Sequence, residues 1–327
     1  MTAPIAAPAA QHAPALGILC ILAGMTCISV NDMLIKQLSG GYPLHQMVFV
    51  RSAIGIVFTI GLVQLEGGWK ILRTDRPWLH VLRGLAVVAS NMMYFAALAV
   101  LPLATATALF FVAPLFITLL SIPVLGEKVG PWRLGAVAVG FCGVLLMLGP
   151  ADTGAQPTGV LLLPVAAAFC YALLQVLTRK LGMGSKASAM AIYLQVMFIL
   201  VSLGFWAATG DGRLTEGLSN ESLVFLFRAW VWPAPEDRLL FLGLGLNAAV
   251  IGYTLSQAYR SAAAATVAPF EYVALPLAIF WGWAVFDELP GPWVLAGIAL
   301  IAGAGLFVFL RERARRRPLR HTRPVQR

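Results

Sequence analysis

Charge is scarce in this 327-residue chain. Only 11% of its residues are charged and 60% are hydrophobic, which leaves too little polar surface to cover a soluble domain. Histidine occurs four times, at 12, 45, 80 and 321. These positions are scattered, so the His, Asp or Glu cluster that an integral membrane enzyme needs at one membrane face is not there. The four cysteines, Cys20, Cys27, Cys142 and Cys170, have neither disulfide nor metal spacing. All sit in apolar runs, where a thiol behaves as a small hydrophobe. No Gly-Lys-Ser/Thr phosphate loop is present, so ATP does not drive the protein, and no cofactor or metal is implied. Residues 1–15 contain no Lys or Arg and so lack the basic start of a secretory signal; they read as a disordered cytoplasmic lead.

The net charge of +9 would suit nucleic acid, but eight of the 23 Lys and Arg are Arg311, Arg313, Arg315, Arg316, Arg317, Arg320, Arg323 and Arg327. Residues 311–327 therefore read as a basic cytoplasmic tail facing anionic lipid, with no nucleic-acid partner.

What the chain has in abundance is long apolar runs. Ten can be marked, at 16–38, 43–65, 78–100, 103–125, 132–149, 158–180, 187–209, 238–259, 264–286 and 293–310. About 20 residues of helix cross the hydrocarbon, so each suffices, with the fifth and tenth short. The runs are apolar on all sides rather than alternating, which favours helices over a barrel. The expected fold is an all-α integral membrane protein of ten transmembrane helices. Lys70, Arg73, Arg76, Lys128, Arg179, Lys180, Lys186 and Arg260 lie in loops on one side with the tail. That side is the cytoplasm by the positive-inside rule, so both termini are expected in the cytoplasm and the spans in a cell inner membrane.

The turn Gly126-Glu127-Lys128-Val129-Gly130-Pro131-Trp132 recurs as Asp287-Glu288-Leu289-Pro290-Gly291-Pro292-Trp293, an offset of 288 − 127 = 161. Earlier in each half, Ile35-Lys36-Gln37 maps onto Thr178-Arg179-Lys180, an offset of 179 − 36 = 143. The 18-residue difference (161 − 143) is an insertion in the second half, placed in the outward loop at 210–237. Its apolar stretch Val224 to Trp232 is too short to cross and predicts an interfacial helix. Two five-helix repeats, 16–150 and 158–310, follow. An odd number of spans per half inverts one against the other, an arrangement typical of secondary transporters with a site near the midplane.

Polar residues inside the spans are the candidate site. Asp32 and Lys36 are one turn apart on span one. Arg51 of span two lies at a depth comparable to Asp32 and is named as its partner; the alternative is a purely structural pair fixing the two helices. Arg83 of span three is expected to snorkel to the headgroups, while Asn91 and Tyr94 share one face deeper in. Pro114 interrupts span four. Span six brings Tyr171 and Gln175, span eight Asn247, Tyr253 and Gln257. In span nine Glu271 and Tyr272 lie between Pro269 and Pro276, and Glu271 serves either the transport site or the unpaired amides of a helix break. With Phe111, these residues give carboxylates, amides and aromatic faces, which suit an amine, a sulfonium or a flat heterocycle better than an anion. A coupled proton or other ion is compatible with the carboxylates. A non-transporting membrane assembly or lipid-handling scaffold is the competing reading, and it would need no polar centre.

The two five-span halves, Leu125-Gly126-Glu127 before Gly130-Pro131-Trp132-Arg133, and Leu101-Pro102-Leu103-Ala104-Thr105-Ala106-Thr107-Ala108 resemble EamA-type carriers of the drug/metabolite transporter superfamily. Asn31-Asp32 with Lys36, Arg51, and Arg76-Pro77-Trp78-Leu79-His80-Val81-Leu82-Arg83-Gly84 resemble its bacterial S-adenosylmethionine uptake branch. At Pro269-Phe270-Glu271-Tyr272 the chain departs from the Pro-Tyr-Arg-Tyr of that branch. The resemblance implies secondary transport of a small polar metabolite, a class that includes riboflavin and amino acids.

Overall fold

The computed structural model describes residues 14–126, 129–148, 158–181, 187–261 and 268–315. Among them there are helices and no strands. In chain order they are α1 (Pro14–Leu38), α2 (Leu44–Glu66), a 3-10 turn Gly68–Leu72, α3 (Pro77–Leu98), α4 (Leu103–Phe110), α5 (Ala113–Leu125), α6 (Pro131–Met147), α7 (Thr158–Leu181), α8 (Ala187–Thr209), a 3-10 turn Arg213–Thr215, α9 (Glu221–Phe227), α10 (Arg238–Ser261), a 3-10 segment Ala268–Val273, α11 (Ala274–Phe286) and α12 (Pro292–Arg315). Among the described residues eight helical stretches are long and apolar enough to cross a membrane, α4 and α5 counting together, and Leu134–Met147 and Phe270–Phe286 are shorter apolar helices. This is a multi-pass membrane protein. Exposed tryptophans mark its two ends: Trp69, Trp78 and Trp132 at one, Trp206, Trp232 and Trp293 at the other, where amphipathic rings meet the headgroups. The first end carries the Lys and Arg of the short turns and is called the basic end; the other carries the 210–237 insert.

Helices start and stop where the residues dictate. Pro77, Pro114 and Pro131 occupy first-turn positions, where a missing N–H costs nothing. Gly126 closes α5 in the left-handed region at φ 71°, and Asp287, 161 residues on, closes α11 at φ 54°. The same position of both recurrent turns thus takes the same unusual conformation, with Asp among the few non-glycine residues that tolerate it. Pro114 cannot donate to the Phe110 carbonyl, and the helix breaks at Phe111 and Val112. The 3-10 segment ahead of α11 and Pro276 makes the corresponding break in the ninth apolar run.

The packing follows the repeat. α1 lies along α10 and α3 along α7; α2 packs on α8 and α6 on α12. Exchanging each helix for its register equivalent converts the first pair into the second and leaves the last two unchanged. Gly143 and Gly297 let α6 and α12 approach so closely that a Cβ on either would sit 3.0 or 2.9 Å from the other's carbonyl oxygen.

Two expectations need correction here. Arg83 does not snorkel: it is 4% exposed and donates Nε to Thr178 Oγ1 of α7 at 2.8 Å, because α7 covers the path its side chain would take. The insert forms a helix shorter than 224–232, ending at Phe227, and it does not lie free on the bilayer. Asn220 caps it by accepting from the Leu223 N–H, Phe225 is 2% exposed, and Ser222 donates to the Ala96 carbonyl of α3. Past Phe227 the backbone is irregular and needs partners. Gln46 supplies them to Val231, donating to its carbonyl at 2.6 Å and accepting its N–H at 3.2 Å. Residues 1–13 and 316–327, which hold most of the expected lead and tail, lie outside the described residues.

Candidate functional site

Asp32 lies in the α1 interior and is 9% exposed. Its carboxylate accepts Asn31 Nδ2 at 3.2 Å and the Tyr94 hydroxyl of α3 at 3.0 Å. Tyr94 also shares a hydrogen bond with Thr107 Oγ1 of α4 at 3.1 Å. α1 and α3 therefore meet at one carboxylate, and α4 joins them through the Tyr94 hydroxyl.

Arg51 does not close on Asp32. Its Nη2 donates to Asn91 Oδ1 at 3.1 Å, and its guanidinium faces the rings of Phe95 and Phe198 at 5.9 and 5.5 Å. Helix α3 explains the correction: Tyr94 takes the carboxylate and Asn91, three residues earlier on the same face, takes the guanidinium. The two charges act on each other at longer range. Lys36 likewise turns away from Asp32, toward Glu288.

From Tyr94 an aromatic path leads across the molecule. Phe110 stands 5.1 Å from Tyr94 and 5.4 Å from Tyr171 of α7, centroid to centroid. Its neighbour Phe111 points elsewhere and meets Tyr272 at 5.4 Å. Adjacent helical positions point about 100° apart, so the two rings face different partners. Glu271 lies within electrostatic reach of both Tyr171 and Tyr272, and Gln175 reaches Tyr171 from one turn along α7. Tyr272 itself fits only because residue 305 on α12 is glycine: a Cβ there would collide with the phenol oxygen.

The structure thus gathers Asp32, Asn91, Tyr94, Phe111, Tyr171, Gln175, Glu271 and Tyr272, with Arg51 behind Asn91. Asn247 is instead a tie between helices, donating to the Cys27 carbonyl of α1. Tyr253 is 51% exposed on the outer surface of α10; at six residues from Asn247 it has rotated to the far side of the helix. Gln257 is half-buried nearer the basic end. Sequence reasoning missed Thr107 and Phe110, which carry no signal beyond their place before the break.

Residues 15–149 match the EamA-like transporter family. A riboflavin transporter of Rhizobium johnstonii is 32% identical over 276 residues, covering 84% of this chain and 84% of that one. The chain belongs to the EamA-like transporter family. An S-adenosylmethionine uptake transporter of Rickettsia prowazekii is also similar to this EamA-like protein, 26% identical over 91% of this chain and 93% of its own. One crystal structure superposes with a TM-score of 0.61 over 91% of this chain and 99% of the other, at 22% identity, a likeness of fold alone. The EamA-like protein is a small-molecule transporter of the drug/metabolite superfamily, and its named relatives are transporters.

In this EamA-like transporter the residues gathered at Asp32 form the candidate site, and their chemistry is of the kind a carrier site uses. A buried carboxylate supplies a counter-charge, hydroxyls and amides supply directional hydrogen bonds, and a run of rings supplies faces for stacking. Among the described residues no group of three metal ligands occurs.

Proposed function

We propose that the protein is a secondary, ATP-independent carrier of a small polar metabolite bearing an amine, a sulfonium or a flat heterocycle. S-adenosylmethionine-like, amino-acid and flavin-like solutes fall in that class. The observation that carries the reading is the buried Asp32 carboxylate joined through Tyr94, Phe110 and Tyr171 to the surroundings of Glu271. Negative charge at both ends of an aromatic path favours cations and planar rings. The relatives that move riboflavin and S-adenosylmethionine support the same class.

The halves 16–150 and 158–310 act as inverted repeats, alternating access to this site by rocking against each other. The basic end faces the cytoplasm with both termini, and the insert end faces outward from the inner membrane. Single cysteines at Lys128 and Gly291 in a chain lacking its native four test that orientation: labelling of both by an impermeant reagent in intact cells would exclude it.

Uptake and efflux by purified protein in vesicles decide the function. The panel contains labelled riboflavin, S-adenosylmethionine, a primary amine, an amino acid and a dicarboxylate. Saturable movement of one of the first four, without ATP, is expected. Transport of the dicarboxylate alone would refute the reading of the site.

A further inference from the structure

At the insert end a single charge pair ties together three parts of the molecule. Lys36, on the last turn of α1, directs Nζ to both Glu288 oxygens at 2.7 and 2.6 Å and to the Leu101 carbonyl at 2.8 Å. Glu288 also accepts the N–H of Leu103, the first residue of α4, at 3.3 Å. The Phe286 ring covers the ammonium, 4.9 Å from its centroid. One cation and one carboxylate therefore join α1, the α3–α4 turn and the α11–α12 turn, crossing from the first half to the second. Lys36 is 9% exposed in its side chain and Glu288 30%, so the pair is partly shielded from water and ions.

Both partners are held from behind. The left-handed Asp287 turns the chain so that the Glu288 N–H bonds the Gly282 carbonyl at 2.8 Å, fixing where the carboxylate emerges. On the other side the insert grips the corner between α1 and α2. Arg228 donates to the Ser39 and Gly40 carbonyls at 3.2 and 2.6 Å, Gln46 pairs with Val231, and Tyr42 donates to Asp237 at 2.6 Å. The insert belongs to the second half by sequence and to the first half by contact. It makes the α1–α2 corner a fixed post, while the α3–α4 turn is attached to that post through Lys36.

Resting on the alternating-access reading above, we infer that Lys36, Glu288 and the Leu103 amide form the latch of an outer gate. The latch closes the mouth above Asp32 in the state described here and breaks when the site opens outward. An ion pair suits this task. Closed, its attraction is strengthened by partial burial; open, each charge regains hydration, so the two states stay close in free energy. An apolar plug of the same size would regain nothing on opening.

The test reads access directly and needs no transported solute. Ala104, on the first turn of α4 beside the latch, is buried. In a chain otherwise free of cysteine, Ala104→Cys is labelled with an impermeant maleimide from the outside of right-side-out vesicles. Lys36→Gln and Glu288→Gln should each raise the labelling rate about tenfold by shifting the population toward the open state. Combining Lys36→Glu with Glu288→Lys should bring it part-way back, since the ion pair returns while the bond from Leu103 does not. Hydrogen–deuterium exchange over 99–104 in the single variants, with no added cysteine, should quicken in parallel. Unchanged labelling and unchanged exchange in both singles overturn the latch, as does labelling that stays raised by the full amount in the exchanged pair. A latch that responds as expected in a protein that moves none of the vesicle panel would count against the transport reading alone. Normal flux with indifferent labelling would count against the latch alone.

Discussion

Replacing Asp32 by Asn separates folding from transport, because the two depend on its charge in opposite directions. The carboxylate accepts two hydrogen bonds, from Tyr94 and Asn31. Bonds to a charged acceptor contribute about 1.5–3 kcal/mol and neutral ones about 0.5–1.5 kcal/mol, so the two together lose roughly 2–3 kcal/mol. Burying an ionised carboxylate costs several kcal/mol even when it is hydrogen-bonded, and the amide escapes that cost. Tyr94 can adapt by donating to Thr107 and accepting from the new amide. Asp32→Asn should therefore be near-neutral for folding, with a melting temperature in detergent within about 3 °C of the parent. Transport is different. A cationic solute group about 4 Å from the carboxylate gains about 4 kcal/mol at an effective dielectric of about 20. If half of that survives desolvation, the variant loses about 2 kcal/mol of solute binding, roughly a thirty-fold rise in KM for an amine or sulfonium. Riboflavin, recognised by stacking, should be affected less. A variant that melts much earlier yet carries every solute normally would make Asp32 a structural anchor and refute the reasoning.

Three further outcomes are expected. Glu271→Gln should preserve protein abundance and sharply reduce flux, whereas Glu271→Leu should lower abundance by leaving polar groups at the helix break unpaired; a Gln variant with normal flux across pH would remove Glu271 from the site. Tyr42, outside the spans, is shifted above its ordinary value of 10 by its hydrogen bond to Asp237, by burial and by the nearby Asp237 and Glu236 charges. Its contribution is fully present below that ordinary value and lost as pH rises through the raised one, so Tyr42→Phe should lower the melting temperature by about 2 °C equally between about pH 6 and 9, where the carboxylate acceptor is ionised, and on the alkaline side the difference should vanish only in strong alkali. Lastly, the repeat register carries Lys36 to Arg179 (36 + 143) and Glu288 to Glu127 (288 − 161). Arg179→Gln should then act oppositely to Lys36→Gln and slow outside labelling of Ala104→Cys; equal acceleration by both variants would deny the two ends a symmetric role.

The helical membrane class was legible from apolar runs alone, because a bilayer leaves backbone polar groups no partner but their own helix. The repeat was legible in two recurrent turns, and the left-handed Gly126 and Asp287 are its backbone trace. Pro114 announced the break before α5 because its missing N–H acts within its own turn. Asp32, Tyr94, Tyr171 and Glu271 stood out as polar groups in apolar surroundings, where any such group must find a partner.

Which partner each group found was decided only by tertiary structure. Arg51 and Asp32 lie at matching depth on adjacent spans, yet α3 passes with Asn91 and Tyr94 facing them and takes both. Lys36 has a carboxylate one turn away on its own helix and pairs with another 252 residues further along the chain. The insert, whose apolar stretch reads as an interfacial helix, became a brace because unpaired backbone at Val231 could be satisfied by Gln46. Local sequence sets what each residue needs: a helix, a turn, a counter-charge, a donor. Short-range rules meet the first two, since their partners lie within four residues. The last two are met across helices, and a rotation of one helix by a single residue, about 100°, changes every partner on its face.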